Sequence, residues 1–325
     1  MADLSPMMQQ YYQIKEQYPD AILFFRLGDF YEMFYDDAVL ASKELDLTLT
    51  GRDCGQEERA PMCGIPFHSY EPYLAKLVAK GYKVAICEQM EDPALAKGLV
   101  KRSIIRVVTP GTVLESSMLD ETKNNFISSV FLGKDQAGIC FSDISTGELY
   151  ATHLEKPFEE SIREEISRYS PKEVLLNSEA AKLKGLLTFL KERISASVEV
   201  LEDDRYLPDI VTSKVLGQFH KENLDELKLQ DQPEITAAVG ALLSYLEETQ
   251  RTGIERISQP QIYSGSQYMK LDLNARRNLE LLETMRNKEK RGSLLWVLDK
   301  TKTAMGKRLI RSWIEQPLLS PARIS

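Results

Sequence analysis

The sequence has no long apolar run, and so lacks the roughly 20-residue stretch that a membrane-spanning helix needs. Its first residues, MADLSPMMQQYYQIKEQYP, have no basic region followed by an apolar one, so no secretory signal is expected and the cytoplasm is the default location. Cysteine is scarce: Cys54, Cys63, Cys87 and Cys140 show no C-x-x-C spacing, and free buried thiols are the expected state. A zinc set built from Cys54, Cys63, Cys87 and His68 fits no structural spacing. The only histidines, His68, His153 and His220, lie far apart, which leaves no nucleophile–base constellation to build. H-E-x-x-H and G-x-S-x-G are absent, and TAMGKRL lacks the first glycine of a phosphate-cradling loop. Seventeen Gly and 14 Pro are too few for a low-complexity chain.

What remains is a globular composition, 43% hydrophobic and 28% charged, in 325 residues, enough for two or three domains. The net charge of −8 is unevenly spread. Residues 261–325 carry 13 Lys and Arg against 6 Asp and Glu, a net +7, which leaves −15 on the rest. A basic end on an acidic chain permits a phosphate-facing surface without requiring one.

Along the first segment, a short helix over Met7–Tyr18 precedes the β-rich run AILFFRLG, and DFYEMFY continues extended. DDAVLASKELD has helical spacing, a polar loop covers Asp53–Arg59, Glu71–Lys80 reads as a helix ended by Gly81, and YKVAICEQ and SIIRVVTPG read as strands. This order predicts a mixed-sheet α/β domain over residues 1–110, followed by a polar linker over 111–124. FISSVFLG, AGICFSDIS and GELYATHL then read as three strands. Helices at Glu159–Tyr169 and Glu179–Glu192 alternate with strands at EVLLN and SVEVLE. That is the element order of a ribonuclease-H-like domain, placed at 125–250. Ile235, Ala238, Val239, Leu242, Leu243 and Leu246 define an amphipathic helix face, and Ala275, Leu279 and Leu282 repeat the spacing. A last helix over Thr303–Glu315 lines up Met305, Leu309 and Trp313, so residues 251–325 read as the all-α start of a further domain.

The most unusual stretch is RLGDFYEMFYDDA, where rings and acids alternate. In an extended strand Phe30 and Glu32 share one face, with Tyr31 and Met33 on the other. Phe30 then either fills the core beside a solvated Glu32, or serves as an aromatic wedge that enters a base step from the minor groove. A carboxylate beside such a wedge would be repelled by phosphates unless it hydrogen-bonded a base edge, where its pKa should rise. Two other functional classes stay open. Asp143 in CFSDIS occupies a strand position from which a two-metal nuclease site could start, although no second acid stands out, and a turn cap is the alternative. The first domain could also be a protein-binding scaffold.

GDFYEMFYDDA, LDLTLTGR, PMCGIPFHS, YLAKLVAKGYKVAICEQMEDP and RVVTPGT, in that order, closely resemble the N-terminal mismatch-binding domain of the bacterial MutS DNA mismatch repair family. LDLNARRNLELLE and GSLLWVLDKTKTAMGKRLIRSWIEQPL resemble the start of that family's helical core, or lever, domain, and the middle segment is similar to its connector. The resemblance implies that Phe30 of the Phe30-Tyr31-Glu32 motif stacks on the mispaired or unpaired base while Glu32 hydrogen-bonds it. Arg52 falls on a backbone-contacting position, with Lys101, Arg102 and Arg106 as phosphate neighbours. It implies recognition of mismatches and small insertion/deletion loops, no catalytic or metal site in this stretch, and an ATPase using ATP and Mg beyond residue 325. It further implies a homodimer, a MutL partner contacted in part by the connector, no membrane, and a cytoplasmic, nucleoid-associated location.

Overall fold

In the computed structural model, the described residues are 4–54, 59–91, 98–250 and 253–324. The middle of the Asp53–Arg59 loop and the end of the EQMEDP motif lie outside them. The chain divides into two compact units. One holds the chain up to Met118 with a short segment around Gln250, and the other holds Leu119–Glu247 and the residues from 253 on.

The first unit is built on a six-stranded sheet, β3-β4-β2-β1-β5-β6. Its strands are β1 (Ala21–Leu27), β2 (Phe30–Phe34), β3 (Thr50–Arg52), β4 (Ala60–Pro66), β5 (Lys83–Gln89) and β6 (Arg102–Val108). Only β1 and β5 run parallel. The sheet is mixed because β1 and β2 form a tight hairpin, whereas β1 reaches β5 through helices α2 (Tyr35–Leu45) and α3 (Glu71–Ala79). Gly28, at φ +58, supplies the positive dihedral that the two-residue turn Gly28–Asp29 needs. Helix α1 (Pro6–Lys15), capped by Ser5, covers one face, packing Met8 and Tyr11 against Leu23, Phe25 and Phe34. It stops at Lys15, three residues earlier than the spacing suggests.

The second unit carries another six-stranded sheet, β11-β10-β7-β8-β9-β12. Strands β7 (Ile127–Leu132), β8 (Ala137–Asp143) and β9 (Glu148–Leu154) form an antiparallel meander. β10 (Glu173–Leu176) and β11 (Ser197–Val200) add in parallel beyond β7, and the two-residue β12 (Gln261–Ile262) pairs with β9. Apart from β12, this is the strand order expected of a ribonuclease-H-like sheet. Helix α4 (Phe158–Tyr169) packs Ile162 and Ile166 on the sheet, and Tyr169 stacks on Phe141 with centroids 4.1 Å apart.

Two helical expectations change, and one helix appears that the spacing did not assign. The helix expected over 179–192 is split into α5 (Ser178–Ala181), started by the Asn177 side chain, and α6 (Lys184–Phe189), which runs on into a π turn. Leu183 leaves helical geometry at ψ 87, and α6 then lies so close to α4 that a Cβ on Gly185 would meet Glu159 Oε1 at 2.3 Å. Helix α7 (Pro208–Phe219), unassigned by spacing, crosses α8 (Pro233–Thr249) so tightly that a Cβ on Gly240 would meet Val211 Cβ at 2.5 Å. The helical spacing of Ala275, Leu279 and Leu282 is only partly realised: α9 (Leu273–Asn278) ends before Leu279, which is exposed, and Leu281 is buried with Leu295 and Ile314. So small a cluster gives little of the tertiary packing on which short helices depend. α10 (Leu294–Leu298), α11 (Ala304–Glu315) and α12 (Pro321–Ile324) complete the unit, and Trp296, Met305, Leu309 and Trp313 are exposed. Among the described residues no helix is long and apolar enough to cross a membrane.

Candidate nucleic-acid interface

Strand β2 alternates as its sequence predicts: Tyr31 and Met33 are buried on one face, while Phe30, Glu32 and Phe34 occupy the other. Along that second face, burial falls off toward the hairpin. Phe34 lies under Tyr11 of α1, with ring centroids 5.1 Å apart. Glu32 is half-buried, and the Phe30 ring is 46% exposed. Phe30 therefore does not fill the core, as the scaffold alternative required.

The strand beneath the ring is braced from the opposite face. Tyr31 stacks on Phe24, packs edge-on against Tyr70 and donates its hydroxyl hydrogen bond to Glu88. Arg26 spans the hairpin: its Nε donates to Gly28 O at 2.6 Å, its Nη1 pairs with Glu88 at 3.3 Å, and its guanidinium lies 3.2 Å from the Phe67 centroid. Sequence reasoning passed over Arg26 because Phe67 is 41 residues away and no local spacing marks the pair.

Among the described residues Glu32 has one ion-pair partner, Arg52, whose Nη1 stands 2.9 Å from Oε2. Burial pushes the Glu32 carboxyl above its usual range, and the Arg52 charge and hydrogen bond pull against that rise without cancelling it. Gly64, opposite Glu32 on β4, is the floor of the site: a Cβ there would lie 3.4 Å from Glu32 Cγ and 3.8 Å from Phe30 Cδ1. An exposed ring, a carboxyl inclined to hold a proton, and a bare strand between them make a shallow platform for a flat heteroaromatic group with a hydrogen-bonding edge.

The other basic residues are not brought to this platform together. Lys101 is exposed. Arg102 is instead buried, where its guanidinium donates to Arg26 O, Gln10 Oε1 and Val100 O and lies over the Phe25 ring at 4.9 Å. Arg106 is held by both Glu115 oxygens, at 2.6 and 3.2 Å, and by Gln250 Oε1. Both arginines are committed within their unit, because a half-buried guanidinium must satisfy its donors locally.

Asp143, the nuclease alternative, is almost fully buried and saturated. It accepts from Asn124 Nδ2 and the Asn125 amide through one oxygen, and from the Ser145 amide and hydroxyl through the other. It caps the β8–β9 turn. The four cysteines are buried, and burial pushes the Cys63 and Cys87 thiols up to about 11 and about 12. Among the described residues, no three His, Cys, Asp or Glu side chains converge as a metal site would require.

Comparison with known proteins now decides the family. Models described as MutS domain I, MutS domain II and MutS domain III match residues 5–117, 125–261 and 274–325 in that order. The chain belongs to the MutS family of DNA mismatch repair proteins. It is 53% identical to the DNA mismatch repair protein MutS of Acetivibrio thermocellus over 98% of its length, and 52% identical to that of Ruminiclostridium cellulolyticum over its whole length. In each case it spans 37% of the relative. The exposed Phe30 and its neighbour Glu32 lie within the part matched by domain I.

Proposed function

We propose that this MutS-family chain recognises mispaired bases and small insertion/deletion loops in duplex DNA, with Phe30 as the wedge and Glu32 as its hydrogen-bonding partner. The observation that carries this reading is the half-exposed Phe30 ring beside a carboxyl that burial inclines toward its protonated form. A ring entering from the minor groove unstacks one base step and kinks the duplex, and weakly paired steps cost least to open. A protonated Glu32 donates to a base acceptor that a mispair leaves free, whereas an ionised one only accepts. Arg52 and Lys101 supply phosphate contacts that hold the protein on any sequence, the property that a search for errors needs. In the complete protein, by likeness to the family, an ATPase using ATP and Mg, a homodimer and a MutL partner complete the activity in a cytoplasmic, nucleoid-associated setting.

The test is fluorescence anisotropy of a G·T-mismatched duplex and its matched twin at one fixed salt concentration, since phosphate contacts make affinity steeply salt-dependent. The wild-type protein should prefer the mismatch, and Phe30→Ala should keep only the binding shared with the matched duplex. Equal binding of both duplexes by both proteins would remove Phe30 as the reader.

A further inference from the structure

Two of the groups assigned to DNA are engaged with each other in the free protein. Arg52, at the end of β3 and opposite Ala60, donates to Glu32 on β2, which lies opposite Gly64, so that β4 runs between the two strands. The Arg52 side chain is 36% exposed and that of Glu32 14%, so the cation has access to solvent and the carboxyl has little. In this arrangement the Glu32 carboxyl is turned toward Arg52 and accepts its hydrogen bond. A backbone phosphate is a competing partner for a guanidinium, because it accepts the same bidentate, charge-assisted bonds. The partly exposed guanidinium is open to exchange with an anion from solution, whereas the carboxyl that it leaves behind stays largely enclosed.

We propose that Arg52 is the positioning residue of the Phe30–Glu32 site. Its guanidinium keeps Glu32 ionised and fixed until duplex DNA arrives. It then passes to a backbone phosphate and releases the carboxyl to take up one proton as it meets the base. The inference rests on the reading of Phe30 and Glu32 given above. The step adds a single proton from the buffer to Glu32 and returns it on dissociation. Around Glu32, β3 contributes Arg52, the segment after it the Cys54 thiol beside Asp53, and β4 the uncharged Gly64. β1 contributes Phe25 under the Arg102 guanidinium, and α1 the Tyr11 phenol packed on Phe25 and Phe34. Arg52 is the group that opposes the effect of burial on the carboxyl, so its departure leaves burial to favour the protonated form.

The sign of the linkage follows. A carboxyl that binds its proton more tightly on the mismatch than in the free protein makes affinity for the mismatched duplex grow as pH falls from its bound toward its free pKa, and level off below. The measurement is the affinity for the mismatched duplex across that range, with the matched duplex alongside, in the intact protein at fixed ionic strength, for wild type, Arg52→Ala, Arg52→Lys and Glu32→Gln. In Arg52→Ala the free carboxyl already holds its proton at higher pH, so the rise should level off at higher pH and span a narrower window. Affinity for both duplexes should also fall, with the salt slope smaller by about one. Arg52→Lys, which keeps the charge, should restore most of the wild-type window, and Glu32→Gln should flatten the profile. A wild-type pH profile in Arg52→Ala, with both duplexes weakened by one common factor, would reduce Arg52 to a phosphate contact and overturn the inference alone. A slope that survives Glu32→Gln would place the proton elsewhere and overturn it too. A wild type without mismatch preference at any pH would instead overturn the functional reading on which it rests.

Discussion

Glu32 and Asp143 are strand carboxylates in two six-stranded sheets, and their surroundings give them opposite characters. Asp143, at the end of β8, accepts four hydrogen bonds from three neighbouring residues and is closed to solvent. Glu32, in the middle of β2, pairs with Arg52, which is itself partly exposed, and lies beside a ring left bare at the end of its strand. The aromatic residues repeat the contrast. Phe141 is fully buried and stacked on Tyr169, whereas Phe30 has solvent over nearly half its surface. An acid or a ring in a strand becomes available for recognition where its neighbours leave capacity unused, and becomes architecture where they do not.

The sharpest way to break this comparison is to truncate both rings. Phe141→Ala should cost about 3–5 kcal/mol, the range for emptying an aromatic site in a packed core, and should lower the melting temperature accordingly. Phe30→Ala should cost about 1 kcal/mol or less, because a half-exposed ring gives up little packing. Equal losses in chemical denaturation would mean that Phe30 is architecture after all. Next in size is Asp143→Ala, which strands the amides of Asn125 and Ser145 and should cost about 1–3 kcal/mol while leaving the preference for a mismatch unchanged. A loss of metal-dependent nucleolytic activity in that variant would contradict the assignment of Asp143 as a turn cap.

The smallest effect concerns Glu32→Gln and depends on pH. Burial raises the folded carboxyl above its ordinary value. Between the two values the native state holds a proton that the unfolded chain has released. Stability from this group is therefore complete below the ordinary carboxylate range and is lost as pH rises through the folded value. Glu32→Gln lacks that loss, so it should melt slightly above wild type at neutral pH, with the difference closing toward acid. A difference that stays constant with pH would show that the Glu32 carboxyl does not titrate between those two values.

Much of the platform was legible from local pattern. The two-residue period of FYEMF put Phe30 and Glu32 on one face, because alternation acts over a few residues, whereas the hairpin turn at Gly28–Asp29 was not anticipated in a run that reads as continuously extended. The runs AILFF, KVAIC and AGICF announced buried strands through the same short-range regularity. The partners were not legible. Arg52 is 20 residues from Glu32 in sequence and reaches it through the pairing of β3 with β4 and β4 with β2. Arg102, a reasonable phosphate ligand on composition alone, turns inward because Gln10, Arg26 and Phe25 surround it. The apolar spacing of Ala275, Leu279 and Leu282 overstated a helix that lacks a large surface to pack against.

Local pattern alone reached the buried strands β1, β5 and β6 and the helices of the first unit, the face on which the ring and the acid stand, and membership of a family through ordered motifs, and it left β3 and β4 unassigned. Tertiary structure alone decided that α1 covers Phe34 and leaves Phe30 bare, that Arg52 and not solvent meets Glu32, and that Asp143 is enclosed. Periodicity is a property of neighbours along the chain, whereas exposure and charge pairing depend on segments brought together from far apart.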